Sequence, residues 1–122
     1  MKKVGLLFHR SGRPPVVSHA DVARTPSARA HGLRSRSGLS PYESMLFVWN
    51  GLTDDPFTMV GIPFPLDFVF LDRGSRIVDI RHRVPPGTPR VFARRLFQYA
   101  IELPAGFCDT HGISVGDWVS TT

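Results

Sequence analysis

Thirteen of the fifteen basic side chains are arginine, and five of them, Arg81, Arg83, Arg90, Arg94 and Arg95, crowd one stretch with His82 and Phe92. A guanidinium is a planar fork that grips carboxylates and phosphates by two parallel hydrogen bonds. If this stretch forms one basic face beside Phe92 and Phe97, it can meet phosphates, single-stranded nucleic acid or an acidic protein surface. Phe92, flanked by arginines, suits the anchor of a protein interface.

Carriers of reaction chemistry are scarce by comparison. His9, His19, His31, His82 and His111 show neither H-x-x-x-H nor H-x-H spacing, and Cys108 is the only thiol, so neither a zinc site nor any other metal or cofactor is expected. No serine lies in a G-x-S-x-G elbow, and no G-x-x-x-x-G-K-[ST] loop is present for nucleotide phosphates. Asp54 and Asp55 are adjacent but precede Pro56 in a turn, which fits a solvated loop better than acid–base work. Cys108 reads as a small buried apolar residue, since no base is paired with it by pattern. The reading is therefore non-enzymatic.

The elements that must position these groups are short. Gly and Pro each occur eleven times in 122 residues, and the net charge is +5. That composition favours one domain of many brief strands and tight turns. Val4–His9 and Val16–Ala23 read as extended, the second as an edge strand. Thr25-Pro26 starts a short helix ending near Gly32 or Arg36. Met45–Trp49 reads as a strand, and Phe68–Leu71 as one covered on both faces, because apolar residues fall on both sides of its pleat. Pro63 and Pro65 hold the residues before them extended and aim the chain into that strand. Asp67 at its mouth can accept hydrogen bonds from turn N–H groups or pair with an arginine, a structural role rather than a catalytic one. Asp72–Ser75 turns a hairpin into Arg76–Arg83. The clean alternation of Phe97, Tyr99, Ile101 and Leu103 with Gln98, Ala100 and Glu102 predicts a half-buried antiparallel strand. A second short helix follows Pro104, and a last strand holds Trp118.

These letters resemble the domain of unknown function family 192. The likeness runs from about Val22 to Val119 and rests on Gly32-Leu33 with Arg36, Met45-Leu46-Phe47, Phe57 with Met59, Pro65-Leu66-Asp67, Phe70-Leu71-Asp72, Ile77-Val78, Pro85-Pro86, Glu102-Leu103-Pro104-Ala105-Gly106, His111-Gly112-Ile113 and Val115-Gly116-Asp117. The resemblance implies a mainly β single domain over residues 1–122, a small β-sandwich or distorted barrel with one or two short helices. Residues 1–21 would be an N-terminal extended segment and 22–119 the family-like core. It implies no reaction. Two departures concern function: Thr58, Val60, Gly61 and Ile62 stand where the family commonly has F-W-M-K-N-T polar and aromatic groups, and Arg34 stands where it has methionine.

The leading expectation is an interaction or assembly subunit whose partners are other proteins or further copies of the chain, contacting them through Arg81, Arg83, Arg90, Phe92, Arg94 and Arg95. Chain ends of small domains are mobile unless tied down, and ends held by neighbours would suit an accessory or decoration protein of a viral particle. The alternative is a small-ligand or anion-binding module with a pocket near Arg36, Met59 and Asp67; nucleic-acid binding ranks third. The opening MKKVGLLFH is too short in its apolar part for a signal peptide or a membrane span, so a cytoplasmic product without membrane insertion is expected, carried elsewhere only within a particle.

Overall fold

The computed structural model describes residues 2–122. Seven strands, β1 (Lys3–Arg10), β2 (Arg13–Ala23), β3 (Glu43–Thr53), β4 (Leu66–Leu71), β5 (Ile77–Val84), β6 (Phe97–Pro104) and β7 (Trp118–Thr121), are accompanied by helices α1 (Pro26–His31) and α2 (Phe107–His111). All strands join one sheet in the order β5-β4-β6-β3-β2-β1-β7. Pairing is antiparallel except between β2 and β3, which run parallel. Parallel neighbours need a crossover, and α1 with the loop to Tyr42 supplies it.

The sheet curls until its outer strands approach each other. Arg76 bridges to Trp118, Ile77 N–H donates to the Asp117 carbonyl at 2.8 Å, and Val119 N–H donates to that of Ser75 at 3.0 Å. Of the two shapes expected, the chain takes the barrel-like one, a single curled sheet and not two stacked ones. The mainly β class and the two short helices are as read from sequence.

Curling separates two cores. One draws on all seven strands, including Leu6, Val22, Leu46, Val69, Ile80, Ile101 and Val119, and is therefore the enclosed face; Phe107 and Cys108 of α2 plug it. The other lies on the opposite face of β3, β4 and β6, where Phe47, Phe68, Phe70, Phe97 and Ala100 are covered by Leu33, Met59, Ile62 and Val91 from connecting segments. Every residue of β4 is buried, as its unbroken apolar run predicts.

Two strands differ from expectation for one reason, their place in the order. β2 lies between β1 and β3 and is no edge. β6 lies between β4 and β3 with a core on each face, so Ala100, Ile101, Glu102 and Leu103 are all buried and the strand is not half-exposed. Local chemistry fixes the ends of the helices. Thr25 caps α1 by accepting from Ala28 N–H at 3.1 Å, and Gly106 and Gly112 flank α2 at φ of 88° and 64°, where a Cβ would be strained.

Candidate functional site

Arg36, Met59 and Asp67 do not converge. Arg36 pairs with the carboxylate of Asp21, which also takes Lys3 at 2.7 Å. Met59 is sealed in the outer core. Asp67 points to the opposite side of the sheet, where it accepts from Arg83 N–H at 2.8 Å, Gly106 N–H at 3.1 Å and Cys108 N–H at 3.0 Å. It is a fastener between β4, β5 and α2. Burial and the neighbouring Asp67 carboxylate push the Cys108 thiol far above its ordinary pKa, which leaves it a poor nucleophile.

The arginine stretch is only partly one surface. Arg94 holds Asp79 from its backbone N–H at 2.8 Å and from Nη2 at 2.7 Å, and Arg81 donates through Nε to the Phe92 carbonyl at 2.8 Å. Arg83 instead reaches Asp109 of α2. Among the described residues, Arg90 and Arg95 make no ion pair. Phe92 is 47% exposed. Burial raises the Asp79 pKa, but the hydrogen bonds and charge of Arg94 outweigh it and hold the carboxyl below its usual range.

A different place has the makings of a site. A cavity of about 360 Å³ opens between α1, the outer end of β3 and the segment 55–62. Its walls include Phe47, Trp49, Phe57 and Ile62, and Arg29, His31, Arg34 and Asp55 also line it. The rings are locked edge to face: Phe47 and Phe57 have centroids 5.1 Å apart at 90°, Trp49 and Phe57 5.8 Å apart at 76°. Arg29 lies over Trp49 at 5.0 Å and is anchored by donating from Nη1 to the carbonyls of Arg24 at 2.8 Å and Val48 at 2.9 Å. The Trp49 indole donates to Asp55 at 3.1 Å.

Glu102 is the one buried acid that lines this cavity. Its position on β6 is paired on one side with Met45 of β3 and on the other with Phe68 of β4, neither able to hydrogen-bond it strongly. The side chain is 2% exposed, and Oε1 has no partner. Burial alone pushes its pKa to about 8. Buried polar atoms are almost always satisfied, so an orphaned carboxyl oxygen beside a cavity is the outstanding chemical feature of the molecule.

Sequence reasoning passed over Glu102 because alternation assigned it to a solvent face. The signal was present in Glu102-Leu103-Pro104-Ala105-Gly106, a stretch recognised only as a family mark. Three of the departures noted above, Arg34, Thr58 and Ile62, are wall residues of this cavity. Among the described residues no three His, Cys, Asp or Glu side chains gather as a metal would require. A second cavity of about 300 Å³, near Leu6, Tyr99 and Val119, is lined by no acid.

A profile of DUF192, described as "Uncharacterized ACR", matches residues 7–121. A search of curated proteins gives no match. Among solved structures, a Sinorhizobium meliloti 1021 protein described as a "putative transcription regulator" superposes with a TM-score of 0.94 at 25% identity, covering 98% of this chain and 94% of that one. A protein of unknown function from Novosphingobium aromaticivorans DSM 12444 gives 0.91 at 26% identity, covering 97% and 84%.

Proposed function

The chain belongs to the DUF192 family, and we propose that it is a small-ligand-binding module with the Glu102 cavity as its site. The observation that carries this reading is the buried Glu102 carboxyl with its unpartnered Oε1 at an aromatic-walled cavity. Ligand sites are concave, mostly apolar and equipped with a few convergent polar groups. An unsatisfied buried acceptor costs stability unless something answers it, and a seated ligand is the economical answer. The test is a fragment library followed by protein-observed NMR. Perturbations centred on Trp49, Phe57, Gly32 and Glu102 support the reading; a library that perturbs nothing there, or only other surfaces, overturns it.

A second reading, an interaction or assembly subunit, is favoured by Phe92 and Leu96, 47% and 56% exposed on the segment before β6, near Arg90 and Arg95, which make no ion pair among the described residues. Sedimentation of the wild type against Phe92→Ser tests it, since an association that depends on this face is lost in the variant. Similarity to the Sinorhizobium meliloti protein, described as a "putative transcription regulator", brings in nucleic acid as a third reading. Against it, Arg36, Arg83 and Arg94 are already paired with carboxylates of the same chain, so the arginine stretch does not offer all its charge to phosphates. A binding constant that falls steeply with salt would restore it.

A further inference from the structure

Resting on the cavity as a ligand site, we propose that its ligand is a small amphoteric molecule: a primary ammonium or amidinium head on the Glu102 carboxylate, a short apolar body between the rings, and an anionic end at Arg34. Each part answers a group that the protein leaves without a partner. Among the described residues no lysine or arginine pairs with Glu102. The charged and titratable groups facing the cavity are Arg29 and His31 of α1, Arg34 just beyond it and Asp55 after β3. Beside Glu102, strands β3 and β4 offer only Met45 and Phe68. Asp55 is engaged by the Trp49 indole, and Arg29 by two carbonyls. His31 shares a hydrogen bond with Ser35 at 3.1 Å. Arg34 is exposed, lines the cavity and, among the described residues, pairs with no carboxylate.

The walls favour the same polarity. Ring faces attract cations, and Trp49 already carries the Arg29 guanidinium at 5.0 Å. A simple anion would satisfy Arg34 but leave Glu102 orphaned. A neutral donor would bond Glu102 but leave Arg34 unused. The volume of about 360 Å³ is at the small end for ligand cavities, enough for one ring with short substituents.

Binding has a proton signature. Burial keeps Glu102 protonated near neutral pH, with a pKa of about 8. Seating a cation ionises it, the carboxyl proton passing to solvent while the ligand keeps its own. Association at pH 7 therefore releases close to one proton, and it tightens by about ninefold from pH 6 to 7 and about fivefold from pH 7 to 8. A neutral ligand bonded to the protonated acid would bind almost independently of pH from 6 to 7, release no proton, and weaken only as pH approaches 8.

Calorimetry on the full chain in buffers of different ionisation enthalpy tests this with four probes: 4-(aminomethyl)benzoate, benzylamine, benzyl alcohol and benzoate. The expected order is the aminomethylbenzoate first, benzylamine next and the other two weaker by at least about tenfold. Glu102→Gln should remove both the amine preference and the proton release, and His82→Ala, on β5 and outside the cavity wall, should keep them. Arg34→Ala should erase the advantage of aminomethylbenzoate over benzylamine. Benzoate or benzyl alcohol bound as tightly as benzylamine, or an unchanged Glu102→Gln, overturns the ammonium assignment while the cavity stands as a ligand site. An unchanged probe order in Arg34→Ala overturns the seat of the anionic end. If no probe binds, the amphoteric assignment falls, and the fragment screen decides the fate of the cavity separately.

Discussion

Asp67 on β4 receives the backbone N–H of Cys108 at 3.0 Å, a contact across 41 positions of sequence that ties the first helical turn of α2 to the sheet. The same carboxylate takes the N–H groups of Arg83 and Gly106, so one buried side chain replaces water for three backbone donors. Replacing it by alanine leaves those donors without an acceptor, and each orphaned group costs on the order of 1–3 kcal/mol. Asp67→Ala is therefore expected to lose about 3–5 kcal/mol of stability in urea denaturation at pH 7. Asp67→Asn, which keeps one carbonyl oxygen, should lose less. A loss under about 1 kcal/mol for the alanine variant would contradict the fastening role.

Cys108 reports on the same joint. It is fully buried, and its thiol is pushed upward by burial and by Asp67. In the wild type it should react with a thiol reagent only through the small population of molecules in which α2 has opened. Asp67→Ala should accelerate that reaction by about tenfold for each 1.4 kcal/mol by which it eases the opening. Prompt modification of the native wild type would mean that α2 does not seal the enclosed core.

The pH profile of stability has two arms with opposite causes. Burial raises Asp79 and Asp21, but Arg94 acting on Asp79, and Lys3 and Arg36 acting on Asp21, bring both below their ordinary values. A depressed native pKa stabilises above the unfolded value and is lost as pH falls through the native one. Stability should drop on acidification below about pH 4, where carboxylates of unfolded chains titrate. Asp79→Asn should flatten part of that arm, as measured by urea midpoints from pH 2 to 5. An unchanged acid arm in the variant would dismiss the Arg94 pair as a contributor.

Glu102 governs the other arm. Its native pKa of about 8 exceeds that of an unfolded glutamate, so its contribution is intact below about pH 4 and lost as pH rises towards 8. The span corresponds to a loss on the order of 3–5 kcal/mol. Glu102→Gln, which cannot ionise, should be close to neutral against wild type at pH 4 and more stable by about 3 kcal/mol or more at pH 8. Parallel wild-type and variant profiles would show that Glu102 is ionised and answered in the native protein.

How much of this was legible in the letters follows from what each letter pattern depends on. Thr25-Pro26 and the Asp72–Ser75 turn depend on neighbours in sequence, and both formed as read: Thr25 caps α1, and Asp72 Oδ1 accepts from Gly74 N–H at 2.9 Å and Arg76 N–H at 3.0 Å. The buried run of β4 was legible because apolar residues on both faces have one explanation. β6 misled because alternation reports the pleat and not the coverage of its second face. That coverage comes from Leu33, Met59 and Ile62, distant residues brought over the strand by the crossover and the proline-rich approach to β4. Glu102 was hidden by the same effect. Arg36 and Asp67 shared a family pattern, but they lie in separate places: Arg36 in the crossover loop, where it pairs with Asp21, and Asp67 on the enclosed face of β4, where it holds α2.

Phe57 joins the cavity wall to the arginine-bearing segment. Its N–H donates to the Val91 carbonyl at 2.9 Å and its carbonyl accepts from Val91 N–H at 2.8 Å. Its ring meets Phe47, Trp49, Phe68, Phe70 and Phe97. Truncation to alanine removes those contacts and leaves a void that the strands beneath are too rigid to fill. Phe57→Ala is expected to lose about 2–4 kcal/mol and to shift the emission of Trp49, whose indole would lose an edge-to-face neighbour. Trp118 stacks on His9 at the far edge of the sheet, so the shift should vanish in a Trp49→Phe background. Backbone pairing with Val91 does not need the ring, so the exposure of Phe92 to a surface label should stay the same. Wild-type stability in Phe57→Ala, with unaltered Trp49 emission, would mean that the aromatic cluster is not the wall that encloses the Glu102 cavity.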